Sequence, residues 1–170
     1  LFMAIKEVYH GKSFTELEDG LKYRLPESIN RFKEKHAEEI LFYEITQYFF
    51  FTQYFELKAY ANNNGIKIIG DIPFYVQLES ADVWSNPDIF RLGRDMTPVT
   101  VAGVPPDIFS EDGQLWGNPI YDWDFQKTND YAWWRYRLIH NSKLYDVIRI
   151  DHFRAFADYY TIPYGSKTAK

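Results

Sequence analysis

The run Tyr145-Asp146-Val147-Ile148-Arg149-Ile150, closed by Asp151, decides how the rest of the chain reads. Its length and β-branched residues predict a strand over 145–150, and a second run of the same kind, Ile66-Lys67-Ile68-Ile69-Gly70-Asp71, predicts another. Both close on aspartate. A helical pattern precedes each one. Ahead of the first strand, Leu41, Ile45, Tyr48, Phe49, Phe55 and Tyr60 fall near helical spacing over 37–62, and Asn62, Asn63, Asn64 and Gly65 mark the end. Ahead of the second, Thr128 or Asn129 is placed to cap a helix running to about Asn141. Helix, strand, helix, strand predicts an α/β fold whose parallel strands are buried.

Outward from these elements the chain is less regular. A short helix is expected from residues 13–18, and Pro26 stands where the first turn of the next helix begins, with Ile29, Phe32 and His36 on one face. Residues 48–51 are apolar on every side, so the 37–62 helix should be covered on more than one face. Residues 72–126 show no steady period but are dense in Pro, Gly, Asp and Trp, with turn signals at Asn86-Pro87, Pro105-Pro106, Asp112-Gly113 and Asn118-Pro119. They read as a long structured insertion. Ordered loops of that length usually carry function.

Composition bounds the partners. With 46% hydrophobic and 25% charged residues, the 170-residue chain can bury a core and should be globular. Its 14 Tyr, 14 Phe and 5 Trp fill cores by default but also offer flat faces to sugar rings. A net charge of −5 argues against a nucleic-acid partner, whose phosphates call for clustered Lys and Arg. With no Cys there is no disulfide or thiolate metal site, and no His, Asp or Glu set has metal-ligand spacing. No apolar run approaches the roughly 18 residues needed to span a bilayer. The chain is therefore expected to be soluble. It opens on Leu1 and stops soon after Pro163-Tyr164-Gly165, and reads as a piece of a longer protein.

The chemistry points to the strand ends. Arg149 and Asp151 are two apart on one strand, so they project to the same face, and a guanidinium there keeps the carboxylate ionised and oriented. That is what a nucleophilic carboxylate needs in retaining glycosyl transfer, where a second carboxyl group about 5 Å away protonates the leaving oxygen. The same pattern also fits a structural ion cluster of Arg149, Asp151 and Arg154. For Asp71 a turn-capping role is the simpler reading. His152 points to the opposite side if the strand continues, as a structural histidine or a substrate contact. His10, His36 and His140 read as surface or packing residues.

Four segments carry a more specific signal: G-I-K-I-I-G-D-I-P at 65–73, V-A-G-V-P-P-D at 101–107, G-Q-L-W-G-N-P at 113–119 and V-I-R-I-D-H-F-R at 147–154. In this order they resemble the amylomaltase family of 4-α-glucanotransferases, glycoside hydrolase family 77, and the similarity runs through essentially the whole chain. The resemblance implies part of a (β/α)8 TIM barrel with a long insertion after the third strand. It makes residues 1–170 a fragment of the catalytic barrel, with 1–36 as a helical inserted region and 72–126 as the insertion, including an acceptor-side loop at 103–119.

On that resemblance Asp151 is the nucleophile, Arg149 its accompanying arginine and Asp71 a donor-sugar contact. Asp107, Phe109, Gln114, Trp116, Asn118 and His152 become candidate glucan contacts. Ile108, where many relatives carry an aromatic residue, and Ala155, where many carry Gly, depart from the pattern. The implied partners are α-1,4-glucans, maltooligosaccharides and the remainder of the barrel; no metal or organic cofactor is implied. Cytoplasmic placement follows from the family. The acid/base glutamate and a third catalytic aspartate are expected on later strands, beyond Lys170. Glu79 and Glu111 match no family motif.

Overall fold

The computed structural model describes residues 1–170. The chain divides into two compact units, Leu1–Gly70 with Ile139–Ile148, and Asp71–Leu138 with Arg149–Lys170.

The first unit is mostly helical: α1 (Phe2–Val8), a 3-10 turn (Phe14–Glu16), α2 (Asp19–Lys22), α3 (Pro26–Lys35) and α4 (Ala37–Asn63). Its core is Phe2, Ala4, Ile5, Phe14, Leu17, Leu21 and Phe32. The Ser13 hydroxyl accepts from the Thr15 N–H to start the 3-10 turn, and Pro26 opens α3, where its missing N–H costs nothing. His36 closes α3, stacked on Phe32 with 4.5 Å between ring centroids. α4 departs from expectation. None of its residues is buried, and Phe42, Tyr48, Phe49, Leu57 and Tyr60 are all more than half exposed. A helix apolar on all sides needs neighbours on all sides, and this unit supplies α1, α3 and the segment Ile139–Ile148, which Tyr54, Lys58 and Phe51 meet through Leu144, Lys143 and His140.

The runs at 66–71 and 145–150 form strands shifted toward the C-terminus: β1 (Ile69–Pro73) and β4 (Val147–Asp151), which pair with each other. Ile66 is instead tied to the end of α4, its N–H donating to the Ala61 carbonyl and its own carbonyl accepting from the Asn62 amide. One oxygen of Asp146 accepts from the Ile68 N–H and the Asn62 amide, both at 2.8 Å. Ile68 meets Asp146 and Val147 at the start of the pair, while Asp71 meets Arg149 further along, so the two strands run the same way. Two corrections follow. Asp71 lies inside β1 rather than at its end, and β1 is covered on one face only, with Ile72 buried and Ile69 68% exposed.

The second unit holds strands that have no counterpart in the sequence reading. After α5 (Ala81–Ser85) come β2 (Thr100–Val104) and β3 (Gln114–Pro119), joined by β5 (Tyr160–Pro163) in an antiparallel sheet of order β3-β2-β5. Gly103 pairs with Leu115 on one side and Tyr160 on the other, and a bulge lies between Val101 and Gly103. The expected helix beginning at Thr128 or Asn129 is two helices, α6 (Trp123–Thr128) and α7 (Ala132–Leu144). Asp122 caps α6 through the Phe125 N–H, while Asn129 accepts from the Ala132 N–H to start α7. Asp130 and Tyr131, both with positive φ, break the two apart. Residue 126, the expected end of the insertion, therefore falls within α6.

Part of the aromatic surplus of this unit is core: Phe74, Tyr75, Trp84, Phe90, Tyr121 and Trp134 are buried. Phe74 lies 5.5 Å from Tyr121, 5.4 Å from Trp134 and 4.8 Å from Phe156, measured between ring centroids. Aromatic pairs of this kind add about 0.5–1.5 kcal/mol each beyond the area they bury. The Phe74 carbonyl is held by the Tyr121 hydroxyl at 2.8 Å and by Arg137 at 3.1 Å, while Arg137 also covers the ring faces of Trp133 and Trp134. This cluster fixes the segment after β1, which forms one wall of the cavity below.

Candidate functional site

The second unit contains the whole cluster of charged residues singled out by the sequence. Arg149 and Asp151 alternate with Ile150 along β4 and share a face; Arg149 Nη2 donates to Asp151 Oδ1 at 2.7 Å. Its other nitrogen, Nη1, donates to Asp71 Oδ2 on β1. One guanidinium thus spans two carboxylates. All three side chains are more than half exposed, so they are open to a ligand. The hydrogen bond to Asp71, then the charges of Asp71 and Asp151, hold Arg149 above its usual range. Arg149 therefore stays a cation beside Asp151.

β4 stops at Asp151 because His152 takes a left-handed backbone, φ 54°. Such a residue leads the chain out of the strand direction and is uncommon without glycine. The expectation that His152 points away from Asp151 along a continuing strand is therefore corrected. Its imidazole stands edge to face with Trp116, centroids 4.9 Å apart, and 6.1 Å from the Tyr75 ring. Trp116 is steadied by Gln114, whose Oε1 accepts from the indole N–H at 2.9 Å, and Asn118 donates to the Val76 carbonyl at 2.9 Å.

Asp151, His152, Trp116 and Asn118 line one cavity of about 550 Å³, together with the chain leaving β1. Gln114 reaches this group only through Trp116. Asp107 and Phe109 do not line the cavity. Asp107 Oδ1 accepts from the N–H groups of Phe109 and Ser110, both at 2.8 Å, which folds the loop, and Phe109 projects at its tip, 90% exposed like its neighbour Ile108.

The structure adds residues that spacing did not mark. Tyr75, Gln77, Glu79 and Ser80 line the same cavity. Tyr75 follows the 65–73 segment by two residues, and that adjacency is the signal that could have found it; nothing in the sequence distinguishes Glu79. The Tyr75 hydroxyl is buried without a hydrogen-bond partner, and burial first, then Tyr159, raises its pKa so that it stays a neutral phenol. No group of three or more His, Cys, Asp or Glu side chains is placed to hold a metal ion. No helix is long and apolar enough to cross a membrane. What the arrangement can do is present the oriented carboxylate of Asp151 to a ligand bounded by aromatic faces and amide groups.

Comparison with known proteins gives the family. The family described as 4-alpha-glucanotransferase matches residues 1–170. A 4-alpha-glucanotransferase from Clostridium butyricum is 48% identical over 100% of this chain and 35% of its own length. The chloroplastic/amyloplastic 4-alpha-glucanotransferase of Solanum tuberosum is 39% identical over 99% of this chain and 29% of its own. Among solved structures, the amylomaltase from Streptococcus agalactiae in complex with acarbose is 50% identical, with a TM-score of 0.94, covering 99% of this chain and 34% of that one. The chain thus spans about a third of the length of the relatives it matches.

Proposed function

Given that this chain belongs to the 4-alpha-glucanotransferase family along its whole length, we propose that the complete protein moves α-1,4-glucan segments between maltooligosaccharides by a retaining double displacement. The observation that carries this reading is the Arg149 bridge, which holds Asp151 at the edge of a cavity walled by Trp116 and His152. In the first step an Asp151 oxygen attacks the anomeric carbon; the bond to the leaving glucan oxygen breaks, and that oxygen takes a proton from a carboxylic acid. In the second step the 4-hydroxyl of another glucan attacks the same carbon, returns its proton to that group and releases Asp151. Arg149 orients the carboxylate before attack, and Asp71 fixes the far side of the guanidinium while it contacts the donor sugar.

The acid/base glutamate and the rest of a (β/α)8 barrel belong, on this reading, to the two thirds of the relatives' length that this chain does not span. The chain by itself is accordingly inactive. Trp116 offers a stacking face to the sugar, and the 103–119 loop limits water, favouring a glucan hydroxyl as acceptor. Gln114, Asn118 and His152 complete the glucan contacts; Asp107 shapes the loop and Phe109 meets the glucan from its tip. No metal or organic cofactor takes part. Cytoplasmic placement, which the family resemblance implies, is part of this reading.

The test is the product pattern from maltotriose. The complete protein should yield glucose together with chains longer than maltotriose, whereas a hydrolase yields shorter sugars alone. Asp151→Asn should abolish transfer and leave glucan binding in place; turnover retained by that variant removes Asp151 from the nucleophile's role.

A further inference from the structure

Deepening the function proposed above and resting on it, we infer that the glucan site continues past His152 into a second cavity, where Arg154, Asp158 and Tyr159 hold one further glucosyl unit. This cavity measures about 350 Å³. His152 is the one residue that lines both it and the cavity of Asp151. A sugar chain attached at Asp151 and long enough to leave the first cavity by that edge therefore meets the second directly.

The second cavity is built, not incidental. The lining includes residues 103–105 at the end of β2 and, beside Gly103 in the sheet, its strand partner Tyr160. Strand pairing thus fixes this part of the wall. The left-handed turn at His152 leads into the 3-10 segment Phe153–Phe156, which carries Arg154 away from the line of β4 and onto this cavity. Arg154 then grips Asp158 with two parallel bonds, Nε to Oδ1 at 2.7 Å and Nη2 to Oδ2 at 3.0 Å, while both side chains stay largely exposed. Each partner holds the other ionised, Arg154 above its usual range and Asp158 below.

That pair suits a sugar diol. The fork leaves Arg154 Nη1 as a donor and the outer lone pairs of both Asp158 oxygens as acceptors, and neighbouring sugar hydroxyls each donate and accept. Tyr159 and Tyr160 add apolar ring faces for the C–H side of the ring, and the Tyr160 hydroxyl donates to the Ala169 carbonyl at 3.1 Å, which fixes its orientation. The volume lies at the low end of the roughly 300–1,000 Å³ found for small-molecule pockets. It suits one added ring rather than a run of them.

The experiment uses the complete protein, Asp158→Ala and Tyr159→Ala, and maltooligosaccharides from maltotriose to maltoheptaose. Losing a charge-assisted contact should raise KM for maltoheptaose about tenfold, with kcat and the KM of the shortest substrate changed less than about twofold. Unchanged turnover of the shortest substrate also shows that the variants fold. Asp158 has the exposed Arg154 as its partner, so Asp158→Ala stands as the reference should Tyr159→Ala misfold. An effect equal at every chain length, or absent at all of them, overturns the subsite. If the wild-type protein makes no longer chains, the transferase reading fails separately. Calorimetry then decides the subsite: wild type must bind maltoheptaose more tightly than maltotriose, and Asp158→Ala must lose that advantage.

Discussion

Replacing His152 by glycine and by alanine separates the backbone demand at the end of β4 from the work of the imidazole. At φ 54° a side chain bearing Cβ costs about 1–2 kcal/mol, which glycine avoids. Glycine ordinarily loses about 0.5–1 kcal/mol to alanine because its unfolded chain is freer. The left-handed term is the larger, so His152→Gly should be more stable than His152→Ala by about 1 kcal/mol, or about fivefold in the unfolding constant. Both variants lose the ring that stands 4.9 Å from Trp116, so packing cancels in the comparison. Denaturant titration of the complete protein, followed by tryptophan fluorescence, measures the difference. Transfer from maltotriose should fall by the same factor in both, since the imidazole is gone from both. An alanine variant at least as stable as the glycine variant would refute the argument that left-handed backbone bends the chain away from Asp151.

Two further outcomes follow from the packing. Tyr121→Phe removes a buried hydroxyl from the Phe74 carbonyl, but Arg137 still donates there, so the loss should be about 1 kcal/mol by equilibrium denaturation rather than the roughly 3 kcal/mol of an orphaned carbonyl. Asp146 titrates below its usual range because of the Ile68 N–H first, then the Asn62 amide and Lys58. Its folded pKa is the lower one, so its contribution is whole above about pH 4 and disappears as pH falls through the folded value. The wild-type denaturation midpoint should therefore drop more steeply below about pH 4 than that of Asp146→Asn; parallel curves would contradict the linkage.

The charged face of β4 was legible because a strand repeats every two residues, which puts Arg149 and Asp151 together without reference to anything distant. The strand limits were not, because Ile66 has an equally suitable partner in the end of α4, and only the folded chain shows which it takes. β2 and β3 carry Gly103, Gly117 and Pro119 and bury their residues irregularly, so neither shows the alternation that marks a strand. The three-stranded sheet was invisible for that reason. The family motifs reached Trp116 and Asn118, which do line the cavity with Asp151, and Asp107 and Phe109, which do not. Tyr75 and Glu79 belong to the cavity through the path of the chain after β1, a property of three dimensions with no local pattern.

The sheet order β3-β2-β5 bears on how this protein can be re-engineered. Two of its strands come from the segment between β1 and β4, but the third, Tyr160–Pro163, is drawn from the chain beyond Asp151. The segment is consequently no cassette. Grafting it onto another scaffold, or trimming it to a short linker, would strip β5 of its hydrogen-bonding neighbour and loosen the residues that begin at Asp151, so recombination breakpoints belong outside residues 69–163 as a block.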